Sequence, residues 1–228
     1  MRFLLIGNPE NRRVTYFQHA CKAIGLESPL VLSWEAILQD FSSFQNTLKE
    51  CDALRIDSSG ENYNVYNLLV RRGGSIDYFS EADYLKGRIG HLEAWYKGWN
   101  NVLSEIESNL DKDFSVMNSP REISLLFDKY TCQKYLSERG LPIPSILGKA
   151  SNAREVYELM LTNKTNRVFI KPSHSSSASG VVALQRAGSC IMATTSVENR
   201  DNALYNSLKI NRYTIEDEIS QLLNLLGK

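Results

Sequence analysis

Three short apolar runs, at residues 3–6 (Phe-Leu-Leu-Ile), 30–33 (Leu-Val-Leu-Ser) and 53–56 (Ala-Leu-Arg-Ile), are separated by stretches long enough to hold a helix. Strands joined by a helical crossover run parallel, whereas a tight turn would reverse the chain. Helices are expected at residues 15–24, 37–50 and 63–72, so the first half reads as α/β, an open and mostly parallel sheet with helices on its faces. Gly7-Asn8-Pro9-Glu10 follows the first strand where a dinucleotide-binding turn would carry several glycines. One glycine does not supply both the tight turn and the close backbone approach, so this turn does not support NAD binding.

The 228 residues leave room for two domains, and 26 basic side chains balance 26 acidic ones. Without a basic excess to neutralise a phosphate backbone, nucleic acid is not expected as a main partner. The first apolar run stops at Gly7, and no later segment approaches the length of a membrane span. A cytoplasmic protein with no membrane partner is therefore expected. Cys21, Cys51, Cys132 and Cys190 lack metal-ligand spacing and read as buried free thiols.

Residues 80–110 place Tyr84, Ile89, Leu92, Trp95, Trp99, Val102 and Ile106 near a helical period, predicting one long helix with its aromatic residues in the core. A strand at 114–117 closes the first domain, giving boundaries of 1–117 and 118–228. Ser119-Pro120-Arg121-Glu122 supplies an N-cap, a proline at the first helical position and a capping-box glutamate, and Arg139-Gly140 precedes two prolines. One helix is predicted over 120–139. A helix at 153–161, strands at 167–171, 181–185 and 190–195, and a closing helix after Thr214-Ile215-Glu216-Asp217 make the second domain α+β.

Alternation on the strand puts Val168 and Ile170 on one face and Phe169 and Lys171 on the other. Lys171 either snorkels to water at the strand end or holds a ligand charge, because an unpaired buried ammonium is heavily penalised. The small polar segment 173–179 can be an ordinary surface hairpin or a mobile cover whose N–H groups and hydroxyls face phosphate. Lys129 has Leu125, Cys132 and Leu136 at helical spacing, so its stem covers an apolar stripe while its head reaches either water or an anion.

Together, "SPREISLLFDKYTCQKYLSERGLPIP" and "VFIKPSHSSSASGVV" resemble the amino-terminal half of the ATP-grasp fold, where a helix carrying "DK", a proline-rich exit and a "hydrophobic-Lys-Pro" strand recur in this order. The resemblance covers about residues 118–184 and implies a Rossmann-like domain followed by the small ATP-grasp subdomain of an incomplete module. It implies an ATP-dependent ligase that joins a carboxylate to an amine through an acyl-phosphate. Lys129, Lys171, Ser175, Ser176, Ser177, Ser179 and Gly180 would then meet the ATP phosphates.

The family's loop is richer in glycine, and His174 reads first as a surface residue. Magnesium is implied as a cofactor with ligands outside this chain, since Glu216, Asp217 and Glu218 occupy the first turn of the closing helix, where acids suit the helix dipole. No catalytic side chain is assigned. The expected partners are ATP and a carboxylate-bearing small molecule or peptide, with a homodimer possible in principle. Arg12, Arg55, Asp57 and Ser58, near strand ends of the first domain, are the candidate contacts to that substrate. The natural protein is expected to continue beyond Lys228, leaving this chain inactive alone and weak in ATP binding. A non-catalytic nucleotide-binding or interaction module is the alternative.

Overall fold

The computed structural model describes residues 1–227. In chain order the elements are β1 (Phe3–Gly7), α1 (Arg12–Ala23), β2 (Leu30–Ser33), α2 (Trp34–Gln39), α3 (Ser42–Leu48), β3 (Ala53–Ile56), α4 (Tyr63–Arg72), α5 (Glu81–Leu85), β4 (Arg88–Ile89), α6 (Leu92–Ser108) and β5 (Ser115–Val116). They continue with α7 (Pro120–Phe127), α8 (Lys129–Glu138), α9 (Ala153–Thr162), β6 (Arg167–Ile170), β7 (Val182–Ala187), β8 (Cys190–Arg200), β9 (Ala203–Tyr213) and α10 (Glu216–Leu226). The chain divides into two compact units, Met1–Tyr78 with Glu93–Leu126, and Phe79–Leu92 with Phe127–Lys228.

In the first unit the strands follow the order β2-β1-β3-β5, and every pairing is parallel. Leu4, Leu5, Ile6 and Leu54 are fully buried, as expected of apolar strands in a parallel sheet. Because β2 and β3 flank β1, the strand order switches beyond its carboxyl end, between the β1 and β3 loops, the position where open α/β sheets carry a ligand crevice. Trp34 and Trp99 are buried with ring centroids 4.6 Å apart, and Trp95 stacks on Trp99 at 5.7 Å. Trp99 is thus core, as its spacing suggested, whereas Trp95 and Tyr84 are half-buried.

Two expected helices are interrupted. The 37–50 segment is α2 and α3, because the Asp40 carboxylate accepts from the Ser42 amide (3.0 Å) and hydroxyl (2.8 Å), favouring a turn over helix. The 80–110 segment is helical continuously only in α6. Before it, the Ser80 side chain caps α5, and Gly87 at φ +78° turns the chain into β4. Tyr84 and Ile89 therefore matched a helical period without sharing a helix.

The second unit holds a five-stranded sheet of order β4-β9-β8-β7-β6 with antiparallel pairing throughout. Val156 and Met160 of α9 and Ile219, Leu222 and Leu223 of α10 bury against Val182, Leu184, Ala193, Val197 and Leu204 of the sheet. The amide of Ala153 donates to Asn224 Oδ1 at 2.9 Å, tying the start of α9 to α10. β9 had no counterpart among the expected strands. The β8–β9 register shifts between Thr195 and Val197, where the buried Thr195 hydroxyl donates to the Val181 carbonyl (2.6 Å) and accepts from the Val197 amide (3.0 Å). All four cysteines are free, but only Cys21 is buried and Cys190 is exposed, so burial does not explain all four. α10 starts after Ile215, which makes no side-chain cap, while Glu216 pairs with Arg186 at 2.9 Å. Among the described residues no helix is long and apolar enough to cross a membrane.

In the first unit α4 and α6 approach backbone to backbone, and a Cβ at Gly98 would lie 1.9 Å from the Leu69 carbonyl oxygen. Backbone cannot yield as a side chain does, so Gly98→Ala should destabilise the protein by about 3 kcal/mol or more, read as a lower urea midpoint.

Candidate functional site

The expected 120–139 helix breaks at Asp128, which adopts φ −92°, ψ 94° and caps α8. Its carboxylate accepts from the Thr131 amide (3.0 Å) and hydroxyl (2.8 Å). Burial pushes the Asp128 carboxyl up, but these bonds and the charges of His174 and Lys149 outweigh it and hold it below the usual range. Lys129 is consequently the first residue of a new helix. It does not continue the stripe of Leu125.

Lys129 is half-buried and faces the β6–β7 loop. Its Nζ donates to the Pro172 carbonyl (3.2 Å), the Ser175 carbonyl and the Ser175 hydroxyl (3.1 Å), while its backbone N–H donates to the Ser173 carbonyl at 3.1 Å. An ammonium has three donors, so these acceptors can occupy all of them. The acceptors are oxygens of neutral groups and leave the positive charge uncompensated. Burial, and then the charge of Lys171, depress the Lys129 pKa, against the opposing pull of Asp128.

Lys171 is exposed at the end of β6, and the alternation holds: Val168 and Ile170 pack on the core while Phe169 is 75% exposed. Within the loop, Ser175 turns to Lys129, Ser176 and Ser177 are exposed, and Ser179 donates its amide to the Ser176 carbonyl at 2.9 Å. Ser177 and Ala178 hold φ of +52° and +58°, the left-handed region that costs a residue with a Cβ. Gly180 is buried at φ +76°, and a Cβ there would meet Cγ of Pro172 at 2.5 Å, so the loop base accepts only glycine.

His174 is half-buried rather than on the surface, hydrogen-bonded to the Phe127 backbone. Burial holds its pKa down, Asp128 and Phe127 oppose this, and Lys149 and Lys129 add to it. Lys149 was not among the expected residues. It lies over the Tyr130 ring at 4.6 Å, and a lone lysine in an irregular segment carries no sequence signal that would single it out. Lys129, Lys149 and Lys171 thus gather about one half-buried loop with Asp128 as the acid among them.

A separate group forms at the β1–β3 crevice of the first unit. Asp57, 9% exposed in its side chain, receives Arg13 Nε at 3.2 Å and Arg55 Nη2 at 4.0 Å. Its Oδ1 also accepts from the Ser58 amide at 2.8 Å, and the Ser58 hydroxyl accepts from the Gly60 amide at 3.1 Å. Arg55, Asp57 and Ser58 therefore come together. Arg12 is exposed on the same helix and makes no ion pair among the described residues, while its neighbour Arg13 does.

No protein-family model matches the sequence. No curated protein matches it either. Among solved structures, the ATP-grasp ligase PsnB, complexed with a phosphomimetic variant of minimal precursor, Mg and ADP, is similar at 14% sequence identity and a TM-score of 0.44, over 99% of this chain and 82% of that one. A likeness this distant assigns neither residue roles nor activity. The chain is described by its own geometry as a mixed α/β protein with one parallel and one antiparallel sheet.

Lys129 acts on the loop even without a ligand, so Lys129→Ala should raise amide exchange over residues 173–180 about tenfold or more, whereas Lys171→Ala should leave it near the wild-type rate. His174 favours its neutral form in the fold, so stability is complete above the ordinary histidine pKa and is lost as pH falls from there through the lower folded value. Thermal melts across that window should show the loss, and His174→Asn should remove this part of the pH dependence.

Proposed function

We propose that the chain carries the ATP-binding part of an ATP-grasp-type ligase that joins a carboxylate to an amine or similar nucleophile. The observation that supports this reading is the gathering of Lys129 and Lys171 at one serine loop, with Lys129 half-buried and satisfied only by neutral oxygens. Two neighbouring cations, one of them partly desolvated, gain most from a polyanion that meets both. Ser175, Ser176, Ser177, Ser179 and Gly180 would supply hydroxyl and backbone donors around the same phosphates.

In such a reaction a substrate carboxylate oxygen attacks the γ-phosphorus and ADP leaves. The amine nitrogen then attacks the acyl carbon, the acyl–oxygen bond breaks with release of phosphate, and the amine loses a proton. The chain's part is to position the phosphates and offset the charge that develops on them, which requires no side-chain nucleophile. Magnesium would add positive charge to the polyphosphate. Among the described residues no three His, Cys, Asp or Glu side chains are grouped to hold a metal ion.

ATP titration of the protein at its natural length tests the reading. Lys129→Ala and Lys171→Ala should each weaken binding about tenfold or more, equivalent to about 1.4 kcal/mol. Unchanged ATP affinity in both variants, or no carboxylate-dependent release of ADP from the wild type, would remove it. Affinity should also fall at alkaline pH sooner than an ordinary lysine would dictate, because burial and Lys171 already favour the neutral form of Lys129.

A further inference from the structure

In the first unit the loops after the two central strands, β1 and β3, are locked to each other at the crevice position of the sheet. Asn8, 2% exposed in the β1–α1 loop, donates to the carbonyls of Ser59 (3.2 Å) and Gly60 (2.8 Å) in the β3–α4 loop. Asn11 donates to Glu61 and Asn62 to Glu10, at 2.8 and 2.7 Å, so both loop acids are engaged by neutral partners. Trp34 Nε1 fixes the Asp57 carbonyl at 3.0 Å. The two loops are thereby pinned to each other, and groups mounted on them are held in place.

Asp57 is the one carboxylate that takes up the two guanidinium groups at this edge. Arg55 has its Cζ 4.6 Å from the centroid of the Phe17 ring, and its Nη2 is 4.0 Å from Asp57. Arg13 uses Nε on Asp57 and is 47% exposed, and among the described residues nothing takes up its two Nη groups. Those two nitrogens form a planar fork with solvent access. A planar fork matches the two oxygens of a carboxylate. A phosphate dianion would place more negative charge beside Asp57 and is disfavoured.

We propose that this crevice binds a carboxylate through Arg13, with Asp57 as the positioning residue that orients both arginines. Both oxygens of a carboxylate held in this way are engaged, so the bound group is a handle rather than the one to be activated. Resting on the ligase reading above, this makes the substrate a molecule with a second carboxylate, either a small dicarboxylic acid or an acidic peptide segment.

Calorimetric titration of the whole protein without nucleotide tests this, one arm using glutarate and the other a blocked pentaglutamate peptide. Saturable binding is expected in at least one arm, and which arm binds identifies the source of the carboxylate. Arg13→Gln should weaken it about tenfold or more, while Arg12→Gln should leave it within about twofold. The proposal is overturned if neither probe binds, if the two arginine variants lose affinity alike, or if inorganic phosphate competes as well as the carboxylate. Lys129→Ala should not change this titration, so a failed ligase reading and a failed carboxylate site give different patterns.

Discussion

A cation drawn partly out of water must be given oxygen atoms, and the kind of oxygen decides what else the site will attract. At Lys129 those atoms belong to Pro172 and Ser175, which satisfy the donors and leave the charge. At the crevice a single carboxylate serves Arg13 and Arg55, so one positive charge remains in excess within that trio. The Lys129 donors are hydrogen-bonded whereas Arg55 Nε and Asp57 Oδ2 are not, and both arrangements are electrostatically incomplete. On the proposed reading, each arrangement would be held in shape before a ligand arrives.

The two sheets supply this shape by different means. In the first unit the parallel order around β1 separates the loops after β1 and β3, and Asn8 then spans the gap. In the second unit β6 and β7 form a hairpin closed by the Ile170–Val182 pair, and everything from Lys171 to Val181 is loop. A connection of that length would ordinarily be loosely held. Here it is held at the base by Gly180 against Pro172, in the middle by Lys129, and at its near end by His174 against Phe127 and Asp128.

Legibility from sequence followed the physics of each element. β2, β3 and α4 were read to the residue, because their apolar patterns end in residues that stop the element. The break at Asp128 was hidden by a complete cap at Ser119 and an apolar stripe that ran across it, although Asp128 and Thr131 already had the spacing of a side-chain cap. β9 was missed because Ser207 to Ile210 fall outside the pairing with β8 and destroy the two-residue alternation. The serine loop and both lysines were visible as residue types, but the direction of the Lys129 head was not. Arg13 could not be told from Arg12, since one residue along a helix turns a side chain by about 100° and only the fold says which side meets Asp57.

The segment Phe79–Leu92 lies in sequence between the two stretches that form the first unit, yet it supplies β4, the outermost strand beside β9. A piece cut from the chain at Phe127 would lack that strand, and the backbone groups of Leu204 and Tyr205 that β4 meets would be left as an open ladder. Unpaired strand edges are templates for other chains. A second unit prepared alone would thus carry an adhesive border that the continuous polypeptide conceals, and its self-association would be a property of the cut.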